Sequence, residues 1–298
     1  MRGTWARKGF GASVRRAALI PVRYGLTAEK IRKQLQLMVE TVRLADCSPT
    51  IGVTAATLVR HPRIFSDLAG LDLVVHGYEH VGYGGLTDEQ QAHDLDRACF
   101  AFATLGLNAN GFRAPYLDAN GATLRLLRER GFAFDSSFPY LALPNQSEFR
   151  PLFMGAAQVR YGTLETTPQT PYLEANLVEV PVSLPDDELL IDALGYRNPE
   201  LISRIFYSML KEVVNRNSVL VLQIHPERFS LCAAATRDVL SRATDLGGWM
   251  TNLTELAAWI RGQNGSSGGW PDGHAFALAV TGDLDALTIA DFGRRLWP

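Results

Sequence analysis

Apolar positions recur along the chain with two alternating periods. Short runs dense in Val, Ile, Leu and Phe end in polar residues, and longer stretches between them space apolar side chains by three and four. The first pattern suits buried strands, the second helices with one apolar face. Thr27 to Ala45 is predicted to be a helix, with Thr27 as N-cap and Ile31, Leu35, Met38 and Val42 on one face. Strands are predicted at Thr50 to Thr54 and Leu71 to Val75, with a short helix from Pro62 through Leu68 between them. Further helices fall at Thr87 to Leu105, Ala119 to Arg130, Pro199 to Arg216 and Asn252 to Arg261; Gly106 and Gly131 close the first two. Further strands fall at Gly111 to Phe112, Phe132 to Phe134, Leu177 to Val182, Val219 to Ile224 and Ala275 to Thr281.

Strands alternating with helices imply βα units around a largely parallel sheet. Leu141 to Thr170 has no clear period and is rich in Pro, Gln and Gly, and is read as an excursion over the mouth of a barrel. Gly262 to Gly273 has the composition of a linker, and one strand follows it. A lone strand cannot fold by itself, so this one must insert into the sheet made by the rest. With no internal repeat and no second core, residues 26–298 are expected to form one domain behind a basic arm, residues 1–25.

Composition narrows the function classes. With 47% hydrophobic and 20% charged residues the chain has a large core to bury, and a net charge of -2 argues against nucleic acid as a partner. The arm, with Arg2, Arg7, Lys8, Arg15, Arg16 and Arg23, is read as solvated, with weak contact to an anionic surface as the alternative. No signal-peptide core follows it and no run is long enough to span a bilayer, so a soluble cytoplasmic protein without a transmembrane segment is expected. Cys47, Cys99 and Cys232 are odd in number and widely spaced, as reduced thiols would be.

His76, Arg113, Asp135, His225 and Asp283 each follow the end of a predicted strand, and in a parallel barrel those ends converge on one face. His76 and His80 stand four apart, so both could face one ion if the segment makes a helical turn; in isolation such a pair is more often structural. Asp283 and Asp285 point the same way from an extended segment and repel unless a cation or a proton intervenes; a solvated acidic turn is the bland alternative. Arg113 in Arg113-Ala114-Pro115-Tyr116 is either a clamp on a carboxylate or an ordinary ion pair. His225, in His225-Pro226, is a core histidine or a general acid; Asp135 either caps its turn or orients that histidine. Tyr78, Tyr83, Phe138, Tyr140 and Trp249 are stacking platforms for a sugar or simply core.

These motifs together resemble the polysaccharide deacetylase family, the NodB-homology or carbohydrate esterase family 4 domain. His76 to His80 resembles its His-x-x-x-His metal motif, Arg113 to Tyr116 its Arg-x-Pro-Tyr motif, Leu222 to Pro226 its apolar-His-Pro motif, and Thr281 to Asp285 its Asp-x-Asp motif. Phe134 to Ser137 matches the fourth motif more weakly. The family places the Asp motif first and here it comes last, which reads as a circular permutation with residues 262–273 joining the ancestral termini. The resemblance implies a distorted, circularly permuted (β/α)7-type barrel of the α/β class. It also implies a metal-dependent hydrolase that removes an N-acetyl group from an amino sugar, glycan or glycoconjugate. His76, His80 and Asp285 would hold a divalent ion, zinc foremost, with cobalt, iron or nickel as alternatives. Asp283 would be the base for the attacking water and Arg113 its holder. The backbone N–H of Tyr116 would stabilise the oxyanion, and His225, oriented by Asp135, would be the acid. The rival expectations are a hydrolase of another C–N bond, in a cyclic amide or ureide, and a non-catalytic carbohydrate-binding relic.

Overall fold

A computed structural model of the chain describes residues 20, 23–67, 71–162, 164, 169–263 and 269–296. Most of the basic arm and the middle of the Gly/Ser linker lie outside these residues. The strands are β1 (Thr50–Val53), β2 (Asp72–Val75), β3 (Gly111–Phe112), β4 (Phe134–Asp135), β5 (Pro139–Leu141), β6 (Tyr172–Glu174), β7 (Leu177–Glu179), β8 (Val182–Leu184), β9 (Val219–Gln223), β10 (Gly248–Thr251) and β11 (Phe276–Leu284). The helices are α1 (Glu29–Arg43), α2 (Ala55–Arg60), α3 (Pro62–Asp67), α4 (Asp88–Thr104), α5 (Gly121–Glu129), α6 (Arg150–Tyr161), α7 (Pro199–Asn215), α8 (Phe229–Asp245), α9 (Leu253–Gly262) and α10 (Ile289–Leu296).

The strands form one sheet in the order β5-β8-β9-β11-β1-β2-β3-β4-β7-β6, with β10 paired to the first half of β11. Every pairing is parallel except β6 with β7, so the sheet is a curved half-barrel with helices connecting the strands. The last long strand sits where its composition demands, between β9 and β1, with Gly52 opposite Asp283 and Val53 opposite Leu284.

Strand alternation sorts the side chains into two cores. Ile51, Val53, Leu220, Leu222, Leu278 and Val280 join the large cluster that the helices cover, to which α1 contributes the predicted stripe Ile31, Leu35, Met38 and Val42. The alternate positions, Val74, Phe134, Val219, Val221, Ala277 and Ala279, form a smaller cluster with Leu253, Leu256 and Ile260 of α9. Two residues farther along those strands, the same face carries His76, Ser136, Gln223, Thr281 and Asp283 in place of apolar groups. One face therefore changes from sealed core to polar site along each strand.

Helix ends show which local signals act. Thr87 and Gln90 form a capping box on α4, Asn120 and Thr123 form one on α5, and Asn252 caps α9. Thr27 does not cap α1: Ala28 holds the N-cap position without a side-chain bond. The excursion after Leu141 is more ordered than its sequence suggests, because Arg150–Tyr161 is helical and buries Phe153 and Ala157.

Gly282 explains how β11 fits so closely. A Cβ at this position would meet the Ile224 carbonyl oxygen at 2.4 Å, inside any real contact, so only glycine lets the strand pass the end of β9. Gly282→Ala is expected to lower unfolding stability by about 2 kcal/mol or more, as overpacking against backbone does. Denaturant unfolding checks this, and an unchanged midpoint would contradict it.

Candidate active site

His76 follows β2, and its position is set from below. Its Nδ1 lies 2.8 Å from the Arg113 carbonyl oxygen, which can only accept, so Nδ1 carries the proton and Nε2 presents a lone pair. That Nε2 is buried and has no hydrogen-bond partner among the described residues. Burial also holds the imidazole below its ordinary pKa, so His76 is neutral.

The segment from His76 to His80 is a bend and not the helical turn expected. Its shape comes from Asp94 on α4, which accepts from the Tyr78 N–H at 2.7 Å, the Glu79 N–H at 3.4 Å and the Tyr83 hydroxyl at 2.6 Å. Bent this way, the His76 and His80 rings lie 5.1 Å apart between centroids. His80 Nε2 stands 3.5 Å from Asp285 Oδ2, a residue far away in the sequence.

Asp283 takes its place from β11. Gln223 Nε2 donates to its Oδ2 at 2.7 Å, and Arg113 Nη1 lies 3.6 Å from its Oδ1. Arg113, only 1% exposed, is fixed by Thr281 Oγ1 at 2.8 Å, the Ser136 carbonyl at 2.9 Å and Ser136 Oγ at 2.8 Å. The guanidinium is thus a permanent buried cation beside the carboxylate, the clamp arrangement rather than a surface ion pair. Gly52 completes the niche, since a Cβ there would come within 2.8 Å of Asp283 Oδ1.

His225 is held by a residue the sequence reading missed. Asp187 accepts from the His225 backbone N–H at 3.0 Å, and its other oxygen lies 2.7 Å from Nδ1. Burial alone would drive the imidazole pKa down, but the Asp187 carboxylate outweighs it and raises the value to about 10. The expected orienting residue, Asp135, lies elsewhere. It accepts from Ser137 Oγ at 2.6 Å and stands in register with Glu179 across β4 and β7. Burial pushes both carboxyls up, and the Asp135 carboxylate raises Glu179 further, so this pair retains a proton above the usual carboxylate range. The signal for Asp187 was the acidic run Asp186-Asp187-Glu188 after an apolar strand.

His80, His225, Gln223, Asp283 and Asp285 open into one cleft, which Tyr116, Tyr161 and Arg160 also line. Tyr116 holds a left-handed backbone, φ 63° and ψ 10°, and its ring meets His80 edge-on at 4.3 Å. The proposed stacking aromatics do not line this cleft. Tyr83 and Tyr140 are buried core, Tyr78 lies under Arg97, and Trp249 packs with Trp259 and Trp270.

The donor set fits a divalent cation in chemistry. It combines a neutral histidine with a buried, unpartnered Nε2, a second histidine within 5.1 Å of it, and a carboxylate beside that second ring. Among the described residues no three such side chains already form a closed ligand group.

Residues 25–134 match the family described as polysaccharide deacetylase. No curated protein sequence matches the chain. Among solved structures, a Mycobacterium smegmatis protein assigned as a polysaccharide deacetylase is similar at 22% identity and TM-score 0.63, covering 78% of each chain. The PuuE allantoinase is similar at 18% identity and TM-score 0.58, covering 77% of this chain and 72% of its own. A Pseudomonas aeruginosa protein assigned as a polysaccharide deacetylase follows at 16% identity and TM-score 0.55, covering 71% of this chain and 67% of its own. At these identities the likeness is one of fold.

Asp187 sets the proton affinity of His225, and the sign is fixed by the raised pKa: the ring stays protonated as pH rises, until about 10. Asp187→Asn removes the charge that offsets burial, so the imidazole should titrate near or below the ordinary histidine value of about 6.5. NMR titration of His225 reads this directly. An unchanged high pKa in Asp187→Asn would refute the assignment.

Proposed function

We propose that the chain, whose residues 25–134 match the polysaccharide deacetylase family, is a metal-dependent amide hydrolase removing an N-acetyl group from an amino sugar or its conjugate. The observation that carries this reading is the meeting of His76, His80, Asp283, Asp285 and His225 at one end of the sheet, each held by its own partner. His76, His80 and Asp285 would hold the ion. When bound, such an ion supplies Lewis acidity toward water and the amide oxygen.

The chain's own groups divide the proton work. Asp283, held by Gln223 and Arg113, takes a proton from the attacking water as its oxygen bonds to the amide carbon. The Tyr116 backbone N–H, turned by its left-handed conformation, donates to the developing oxyanion. His225, protonated through neutral pH by Asp187, gives its proton to the leaving nitrogen as the C–N bond breaks. The products are acetate and a free amine. Asp135 is outside this relay.

The position of β11 between β9 and β1, with the Gly/Ser linker before it, supports reading the chain as a circular permutation in which residues 262–273 join ancestral termini. No described helix is long and apolar enough to cross a membrane. Small cyclic amides are the second substrate class, favoured by a cleft that several segments of the chain line. Parallel activity screens on N-acetylglucosamine derivatives and on cyclic amides decide between the two classes.

Two substitutions separate ligand from base. Asp283→Asn should retain the metal and lose hydrolysis by about 100-fold or more, the scale of a lost general base. His80→Ala should lose both. Metal analysis with steady-state kinetics checks each, and near-wild-type rates in Asp283→Asn would end the proposed mechanism.

A further inference from the structure

The cleft over the site is walled by segments from the two ends of the described chain. Ile20, Arg23 and Tyr24 line it, and so does Phe292 of α10. Arg23 and Tyr24 had been read as part of a solvated arm, but Tyr24 is 5% exposed and its ring lies 5.6 Å from that of Phe292. Gly25 forms a parallel bridge with Thr288, and its carbonyl accepts the Ile289 N–H at 3.0 Å.

The wall is also tied to the acid. Arg23 pairs with Asp192, which accepts from Arg228 at 2.8 Å, and Arg228 reaches Asp187 at 3.3 Å. Asp187 in turn holds His225. An ion-pair chain therefore runs from the terminal segment to the proposed proton donor. Arg160, ion-paired to Glu188 at 2.9 Å, and Tyr161 add a further polar wall. The cleft is thus lined mainly by polar and charged side chains, with both ends of the described chain on its border. A polymer lying across the site needs a groove open at both ends, and the paired Tyr24 and Phe292 rings stand on the cleft's border.

We propose that this terminal wall makes the site a pocket for a small polar amide and excludes long glycans. The inference rests on the amide-hydrolase reading for its chemistry but not for its sterics. The polar lining, with Glu188, Glu227 and Tyr161 beside the arginines, suits a hydroxylated ligand.

The test compares N-acetylglucosamine with its pentamer on the zinc-loaded full chain. Wild type is expected to favour the monomer in kcat/KM by at least about tenfold, and Tyr24→Ala combined with Phe292→Ala to narrow that ratio by about tenfold, or 1.4 kcal/mol. Arg23→Gln, which keeps both rings, should narrow it in the same direction and carries the comparison if the double variant fails to fold. Calorimetry with zinc-loaded Asp283→Asn measures the binding of both ligands without turnover, and the monomer alone is expected to bind. If neither sugar is hydrolysed but the monomer alone binds, the acetyl reading fails and the wall stands. Equal turnover or binding of both sugars, binding of the pentamer alone or of neither, or a ratio unmoved in the folded variants overturns the proposal.

Discussion

The parallel register of β11 against β1 and β9 is the constraint on which the rest of the site depends. Hydrogen bonding fixes Gly52 opposite Asp283 and Val53 opposite both Leu284 and Val75, so Asp285 follows β11 as His76 follows β2, with Asp283 two residues before it on the same face. A slip of one residue would turn both carboxylates toward the helices and leave Leu284 in the cleft. The glycines at 52 and 282 permit this close fit because each stands where a side chain would strike a neighbour. Leu284, on the opposite face, anchors the register by burial in the main core.

Given that register, electrostatics organises what remains. Asp283, clamped by buried Arg113, and a His225 kept cationic by Asp187 line one cleft, and the ring of the neutral, buried His76 lies 5.1 Å from that of His80. Burying such groups is costly unless each charge has a partner, and each here has one built from a neighbouring strand end or loop. Asp94 performs the same service for the bend between the two histidines, where it replaces the helical turn that the spacing alone suggested.

The sequence was most legible where period and capping agree. The strands at Thr50–Val53, Asp72–Val75 and Val219–Gln223 and the helices at Asp88–Thr104, Gly121–Glu129 and Leu253–Gly262 lie within a few residues of their expected bounds. The insertion of the last strand followed from the physical need of a lone strand for neighbours. Leu177 to Val182 proved to be two strands separated by a bend in direction, each pairing elsewhere. Arg150–Tyr161 stayed hidden because its stripe is weak, and the helix at Phe229–Asp245 because small residues (Cys232, Ala233, Ala235, Thr236, Ala243) dilute its buried face. Gln223 and Asp94 act through partners distant in sequence, which no local pattern announces, and the acidic run around Asp187 does not say which histidine it holds. Asp135 misled because it follows a strand end as true site residues do, yet its carboxyl pairs with Glu179 beneath the site.

The central claim is that His76, His80 and Asp285 hold one divalent ion. A crystal structure of the zinc-loaded protein, with the metal located by anomalous scattering, tests it most directly. The account predicts one ion bonded to both imidazoles and the Asp285 carboxylate at about 2.0–2.2 Å, with Asp283 beside it but not among the protein ligands. An ion bound elsewhere, or a fully zinc-exposed crystal with no ion between these three side chains, would contradict it.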